Sequence, residues 1–216
     1  MKATDPIALT FALALFALVP LLVVSTTCFL KLSIVLALVR NALGVQQSPP
    51  NLAIYALALM LTLYIMAPVG SSMVAAFGEL PDTSSSISVL ATQARKGAEP
   101  MRKFLLDNSK QDQRNFFLDR ARETWPAAMA AEARQNDYLI LVPAFVVSEL
   151  TAAFEIGFLL YLPFIVIDLV ISNILMAMGM MMVSPVTISL PLKLFLFVMV
   201  DGWSRLIHGL VQTYSV

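Results

Sequence analysis

The sequence predicts an all-α protein of the membrane type, made of helical hairpins and broken helices, with a small helical domain outside the membrane. Two observations support this prediction. The chain has 216 residues, of which 59% are hydrophobic and only 13% charged, and its mean hydropathy is +0.81, whereas a soluble domain has about 25% charged residues. The apolar residues also form long blocks, where a helix is favoured because it satisfies its own backbone hydrogen bonds in lipid.

The first apolar block runs from Ile7 to Val39, and its only charge is Lys31. Lys2 and the apolar residues after it resemble a signal peptide. However, the block is longer than such a peptide and has no small-residue cleavage site followed by a hydrophilic chain. We therefore expect an uncleaved first membrane segment.

The second block, Leu52–Phe77, contains no charge and is long enough to cross a bilayer. It follows the connection "GVQQSPPN", in which Gly44 can end one helix and Pro49–Pro50 cannot continue it. Asn51 can then cap the next helix. Residues 1–77 are thus predicted to form an N-terminal hydrophobic hairpin.

Residues 78–137 form a polar segment with nine basic and nine acidic residues. From Gly97 to Asn136 the apolar residues recur with a period of about 3.6, which indicates helix. Pro100 suits the first turn of that helix, and Pro81 with the serine run 84–86 indicates a loop before it. We expect a small α-helical domain here.

The third block, Tyr138–Val183, is more than twice as long as the span of about 20 residues that a bilayer needs. The sequence therefore predicts that this block breaks or folds back. The last block, Val186–Val200, is short for a span and ends at Asp201. Residues 138–216 are predicted to form a C-terminal hydrophobic hairpin.

The orientation of the chain follows from positive charge in short loops. The loop after the first block holds Arg40 and no acidic residue, so we place it in the cytoplasm. Residues 78–137 then lie on the periplasmic side. Lys2 and the balanced charge of the polar segment weigh against this orientation.

The sequence lacks the patterns that indicate catalysis or cofactor binding. The formal net charge is zero, which gives no support for a nucleic-acid partner. Cys28 and His208 are each single, so no intrachain disulfide can form and no metal-ligand spacing appears. There is no phosphate-binding glycine loop and no nucleophile–base arrangement. We expect no enzymatic activity, no cofactor and no metal.

Ionisable residues inside the apolar blocks are the strongest indication of function. Such a residue costs about 2.5–3.5 kcal/mol at the centre of a membrane helix, so it usually faces protein or water and is paired. Near a helix end it can instead extend to the lipid headgroups. The embedded residues are Lys31, Glu149, Glu155, Asp168, Lys193 and, at the end of the last block, Asp201.

Buried pairing is favoured for Glu149, Glu155 and Lys193, whereas the headgroup interpretation is at least as good for Lys31 and Asp201. Glu149 and Glu155 are six residues apart, which is about 240° around an ideal helix. They therefore need two different interfaces, or a break in the helix between them.

A methionine-rich stretch, "MAMGMMMVSP", spans residues 176–185. Methionine is unbranched and polarizable, and it adapts to irregular or changing shapes. Core filling is one interpretation of this stretch, and a deformable seal is the other. Gly179 and Pro185 weaken helical continuity, which favours a turn or a loosened helix end. The candidate gate residues are Met176, Met178, Met180, Met181 and Met182.

Three stretches show a specific family pattern: "KLSIVLALVRNALGVQQSPPN" (31–51), "LVPAFVVSELTAAFEIGFLLYLPFIVIDLVISNILMAMGMMMVSP" (141–185) and "ISLPLKLFLFVMVDGW" (188–203). The motifs P-A-F-x-x-S-E-L and L-P-F-x-x-I-D within them are highly specific. In this order, the stretches resemble the FliP/SctR family of type III secretion export-gate membrane proteins. The chain length resembles the injectisome branch rather than the flagellar one.

The resemblance implies a multi-pass inner-membrane component in the base of a Gram-negative type III secretion apparatus. Several copies, five by resemblance, would form a ring with the S and T export-gate proteins, with the U and V export-apparatus proteins docked beneath it. Unfolded proteins would pass through a channel closed by the methionine-rich loop. The resemblance also implies that Glu149 and Lys193 form a charge pair, within one chain or between subunits, that stabilises the oligomer.

Two functions are consistent with these observations. The first is a pore-forming structural subunit that performs no chemistry and contacts membrane lipid, partner subunits and translocating proteins. The alternative is a subunit of an ion or small-solute transporter that uses Glu149, Glu155 and Asp168 as a proton relay. A transporter is expected to contain an internal repeat, and the first two blocks do not resemble the last two, which weighs against the alternative.

Overall fold

The computed structural model describes residues 6–45, 48–78, 87–180 and 182–215 of the chain. Within these ranges the regular structure is helical throughout, which confirms the predicted all-α fold class. In chain order the helices are α1 (Pro6–Thr26), α2 (Phe29–Ala42), α3 (Asn51–Gly78), α4 (Ile87–Asp107), α5 (Gln111–Thr124), α6 (Ala127–Glu132), α7 (Tyr138–Ala177), α8 (Pro185–Met199) and α9 (Gly202–Gln212). The predicted loop at 81–86 lies outside the described residues.

Two helices in the described ranges are each long and apolar enough to cross a bilayer, Asn51–Ala76 of α3 and the whole of α7. Two further pairs of helices are long and apolar enough to cross a bilayer only if both helices of a pair count as one span, because each pair is bent at a short break. The bend is 69° between α1 and α2 and 61° between α8 and α9. These apolar helices fit a membrane protein, and the bent pairs confirm the predicted broken helices.

Helix α7 is continuous over 40 residues, so the predicted break in the third apolar block is wrong. Helix α7 ends only at Ala177, although Pro143 and Pro163 lie inside it. Apolar helices tolerate proline where neighbouring groups satisfy the freed backbone. The prediction was based on bilayer thickness, which does not limit a helix that packs along other helices. Helix α7 packs against α2, α4, α5 and α8.

The main core surrounds α2, which packs against both α3 and α7. Leu32 and Leu36 of α2 are fully buried in it, as is Ala153 of α7. One turn after Ala153, Gly157 allows the two helices to approach closely, since a Cβ atom there would lie 2.3 Å from Cδ1 of Leu38. A pair of small residues four apart is typical of close contacts between apolar helices.

Helix α4 begins at Ile87 rather than near Gly97, and Pro100 lies inside it rather than in its first turn. This part of the prediction is therefore wrong. A proline inside a helix removes one backbone hydrogen bond, and the packing of α4 along α3 offsets that loss, because Phe104 and Leu105 belong to the main core. The division of the chain into domains after residues 77 and 137 stays a prediction.

Candidate functional site

The first buried ion pair joins α2 to α7. Nζ of Lys31 lies 3.0 Å from Oε1 of Glu149, and the two side chains are only 5% and 3% exposed. Lys31 lies in the first turn of α2, and Glu149 lies on the buried side of α7. A buried ion pair needs further polar partners to offset the loss of hydration. The hydroxyl of Tyr214 is such a partner, because it donates a hydrogen bond to Oε2 of Glu149.

Tyr214, two residues after the end of α9, completes this site. Its ring lies against the Lys31 ammonium, with Nζ 3.8 Å from the ring centroid, which gives a cation–π attraction. The hydroxyl also lies 3.3 Å from the carbonyl oxygen of Cys28. Burial and, next, the nearby Glu149 carboxylate raise the pKa of the Tyr214 phenol. The hydroxyl therefore keeps its proton and acts as the donor to Glu149.

The second ion pair joins α7 to α8. Nζ of Lys193 lies 2.6 Å from Oδ2 of Asp168, and the two side chains are 4% and 33% exposed. The buried Ser189, one turn before Lys193, donates to Oδ1 of Asp168 at 2.5 Å. Lys193 also donates to the carbonyl oxygen of Ala42 at 3.3 Å. That carbonyl belongs to the last turn of α2, where the helix dipole favours a cation.

The structure corrects the intrachain form of the predicted Glu149–Lys193 pair. Within the chain, Glu149 pairs with Lys31 and Lys193 pairs with Asp168. The two sites lie at opposite ends of α2, since Lys31 and Ala42 are eleven positions apart, or about 16 Å along a helix. Each acid therefore has its own lysine. A contact of Glu149 with Lys193 of another subunit stays a prediction.

Glu155 forms a third pair, which is exposed. Nζ of Lys110, just before α5, lies 3.2 Å from Oε1 of Glu155, and the side chains are 48% and 60% exposed. Within the chain, Glu155 is therefore paired but not buried, and its buried pairing against another subunit stays a prediction. The prediction of two interfaces is confirmed, because Glu149 faces α2 and Glu155 faces the start of α5. Asp201 is exposed at the bend between α8 and α9, in a left-handed conformation with φ 52°.

The methionine-rich stretch forms the end of α7 and its connection to α8. Gly179 takes a left-handed conformation with φ 74°, and the Met180 amide then donates to the carbonyl oxygen of Leu175 at 2.9 Å. Glycine at this position is a common helix end, and Pro185 begins α8. The side chains that are exposed there, and so do not fill the core of the chain, are those of Met176, Met178, Met180 and Met182. Met181 lies outside the described residues.

Sequence reasoning missed three groups in the two buried sites: the hydroxyls of Ser189 and Tyr214 and the carbonyl of Ala42. The Ser189 hydroxyl could have been found, because Ser189 lies four residues before Lys193 and therefore on the same helix face. Tyr214 gives no comparable indication, because its partner Glu149 is 65 positions away. The role of the Ala42 carbonyl is equally hidden in the sequence, because its donor Lys193 is 151 positions away.

The described part of the chain contains no group of three His, Cys, Asp or Glu side chains that could hold a metal ion. An open cleft of about 1180 Å³ lies beside α4 and the start of α7. Arg95 and Arg102 line this cleft together with Glu99 and Asp137. Because both signs of charge are present, the cleft has no clear preference for a charged ligand.

These features define a helical membrane protein whose buried embedded charges are paired within the chain. The model of the FliP family matches residues 12–210, which is most of the chain. The chain belongs to the FliP family, and its similarity to the relatives described next confirms the resemblance to the injectisome branch of the FliP/SctR proteins of type III secretion.

Similar proteins come from several bacteria. The chain is 52% identical over 215 residues to Yop proteins translocation protein R of Yersinia pestis, covering 100% of this chain and 99% of the relative. It is 46% identical over 210 residues to harpin secretion protein HrcR of Erwinia amylovora, covering 97% of each. It is 45% identical over 211 residues to virulence protein YscR of Salmonella typhimurium, covering 98% of each.

Proposed function

We propose that this chain is a pore-forming structural subunit of the type III protein secretion export gate in the bacterial inner membrane. It performs no chemistry and passes unfolded substrate proteins through a channel sealed by methionines. The relatives support this role, because their names specify Yop translocation and harpin secretion. The apolar helices α3 and α7 support a multi-pass membrane location.

The subunit acts within an oligomer. Several copies, five by family resemblance, form a ring with the S and T export-gate proteins, and the U and V export-apparatus proteins contact that ring. Exposed apolar surface supports this assembly, since a soluble monomer rarely exposes large apolar patches. Large exposed side chains occur on three helices: Leu59, Leu63, Phe154, Phe158, Leu162, Phe195 and Val198. These side chains contact neighbouring subunits and lipid.

The exposed methionine loop is the observation that best supports a sealed channel. In a symmetric ring, equivalent loops of all copies meet around one axis. Methionine side chains are apolar, long and adaptable, so such a ring excludes ions when closed and parts around a polypeptide of any sequence. The described methionines face outward from the chain and are therefore available for contacts with other copies.

The polar segment 78–137 lies on the periplasmic side in this proposal. Asp119 of α5 is exposed and is therefore a suitable position for a cysteine, in a chain whose Cys28 is replaced by serine. A membrane-impermeant thiol reagent added from the periplasmic side is expected to label Asp119→Cys in intact cells. Labelling only after the inner membrane is breached would show that the polar segment lies on the cytoplasmic side instead.

The transporter alternative gains no support from the geometry. Its three proposed relay carboxylates, Glu149, Glu155 and Asp168, each face a different lysine rather than one another. A proton relay requires a chain of ionisable groups that can pass a proton on. The described arrangement instead holds two of the acids in ion pairs whose lysines are buried.

The channel seal is tested by replacing Met180, Met181 and Met182 together with alanine. The expected variant still assembles with its partners, but the inner membrane leaks ions, which a membrane-potential dye or a growth defect reports. A matched control replaces three exposed methionines elsewhere, Met60, Met129 and Met199. With this control variant, the inner membrane is expected to stay impermeable to ions. A fully assembled loop variant with normal ion impermeability would contradict the seal.

A further inference from the structure

The short segment after α9, residues 213–215, contacts three other helices at once. We propose that this segment is an internal peptide ligand, which docks in a site built by α2, α4 and α7 and thereby seals the Lys31–Glu149 pair and Cys28 from water. We refer to residues 213–215 as the docking segment. Its docking does not depend on the proposed channel.

The site recognises the backbone of the docking segment through one amide side chain. Nδ2 of Asn108 donates to the carbonyl oxygen of Ser215 at 3.0 Å, and the Ser215 amide donates to Oδ1 of Asn108 at 3.2 Å. Both backbone groups of Ser215 are thus satisfied by one residue, as in the exchange of two bonds between paired residues of antiparallel strands. Nδ2 also donates to the carbonyl oxygen of Phe104 at 2.9 Å, which fixes the amide at the end of α4.

The site recognises the side chain of Tyr214 through its ring and its hydroxyl. The ring stacks on Phe104, with centroids 6.2 Å apart and planes 21° from parallel, and it lies against the Lys31 ammonium. The hydroxyl reaches Glu149. Phe104 is itself held by Phe145, 5.7 Å away. The chemical class of residue that this site takes is therefore an aromatic residue with a hydroxyl group.

Docking covers groups that would otherwise be reached by water. Lys31, Glu149 and Cys28 are buried, whereas Tyr214 is only partly buried, so the tyrosine forms the outer cover of the pair. The tyrosine hydroxyl reaches the Cys28 carbonyl across 186 positions of sequence. The site therefore forms only when the docking segment and the start of α2 are folded together.

Cys28 serves as a natural reporter of docking, because it is the single cysteine of the chain and is fully buried. In membranes containing the full chain, Asn108→Leu removes both bonds to Ser215 and is expected to speed the alkylation of Cys28 by N-ethylmaleimide at least tenfold, since local opening controls reactivity of buried groups. The matched control is Asn115→Leu on α5, whose side chain contacts Gln135 instead, and its alkylation rate is expected to stay unchanged. An unchanged rate in Asn108→Leu would overturn the sealing role.

A second experiment tests docking without depending on the stability of a leucine variant. Asp107 and Ser215, which line the same small cleft, are both replaced by cysteine in a Cys28→Ser chain that keeps Asn108, and a short thiol–thiol cross-linker is added. The expected product is a cross-link within one chain, which migrates as a monomer on denaturing gels and is identified by peptide mass. Cross-linked dimers would show that the segment docks on another copy, and an absence of cross-linking would show that it does not dock. Either result would overturn the proposal.

Discussion

The two buried lysine–carboxylate pairs use the same chemistry, but the protein encloses them to different degrees. Both lysines are buried, yet Glu149 is only 3% exposed, whereas Asp168 is 33% exposed. When its lysine is removed, a fully enclosed carboxylate cannot rotate toward solvent, whereas a partly exposed carboxylate can. We therefore expect the surroundings of a charge pair, rather than its membership in an apolar helix, to set the free-energy cost of breaking it.

The two pairs also differ in what holds them. The Lys31–Glu149 pair is closed by Tyr214 from a distant part of the chain. The Asp168–Lys193 pair is supported by Ser189 within α8 and by the carbonyl at the end of α2. The first site thus depends on long-range folding, and the second depends on local helix packing.

The largest effect is expected from Lys31→Met. This change leaves Glu149 enclosed without a cation, which typically costs about 3–5 kcal/mol. The measurement is the free energy of unfolding in mixed detergent micelles. The control is the double variant Lys31→Met with Glu149→Gln, which removes both charges and is expected to recover most of the loss. A loss below about 1 kcal/mol in the single variant would contradict full enclosure.

A smaller effect is expected from Lys193→Met. Asp168 then loses its cation but keeps the bond from Ser189 and its contact with solvent, so the loss is about 1.5–3 kcal/mol. The same unfolding assay measures it. Ser189→Ala, which removes only one hydrogen bond to the acid, is the control and is expected to cost less. If Lys193→Met costs more than Lys31→Met, exposure does not explain the difference between the sites.

The close contact of α2 with α7 is tested by Gly157→Ala. The added methyl group would overlap Leu38, and such overpacking costs about 1–3 kcal/mol. Gly70→Ala in α3 is the control, because no atom lies within 4 Å of its added Cβ, and it is expected to be neutral or slightly stabilising. Combining Gly157→Ala with Leu38→Ala is expected to relieve the overlap. Equal stabilities for the two glycine variants would rule out close helix packing at Gly157.

The smallest effect is expected from Glu155→Gln. The Lys110–Glu155 pair is about half exposed, and exposed pairs contribute only about 0.2–1 kcal/mol. Raising the salt concentration is expected to reduce the difference from the unchanged chain further. A loss comparable to that of Lys193→Met would mean that Glu155 is buried in the folded protein.

Much of the fold follows from the sequence, because block lengths and apolar composition are local properties. The all-helical class, the presence of broken helices and the separate interfaces of Glu149 and Glu155 are all predicted correctly. The continuity of α7 is not predicted, since a rule based on bilayer thickness does not apply to a helix that packs partly on protein. The start of α4 at Ile87 is not predicted either.

The charged sites could be predicted as a set but not as pairs. An ionisable residue in an apolar block usually needs a partner. Lys31, Glu149, Asp168 and Lys193 are among the six embedded residues found in this way, although for Lys31 a position at the headgroups is an equally good expectation. Which lysine meets which acid depends on how α2 lies against α7 and α8, a long-range relation without a local sequence pattern. Only Ser189, four residues before Lys193, could have been assigned from spacing.

The pairing of the buried charges is tested most directly by double-mutant cycles on unfolding of the isolated subunit in detergent. The account predicts a coupling energy of about 1–3 kcal/mol between Lys31 and Glu149, and coupling near zero, within about 0.5 kcal/mol, between Glu149 and Lys193. The cycles use Lys31→Met, Glu149→Gln and Lys193→Met with their pairwise combinations. Strong coupling between Glu149 and Lys193, together with none between Glu149 and Lys31, would contradict the account.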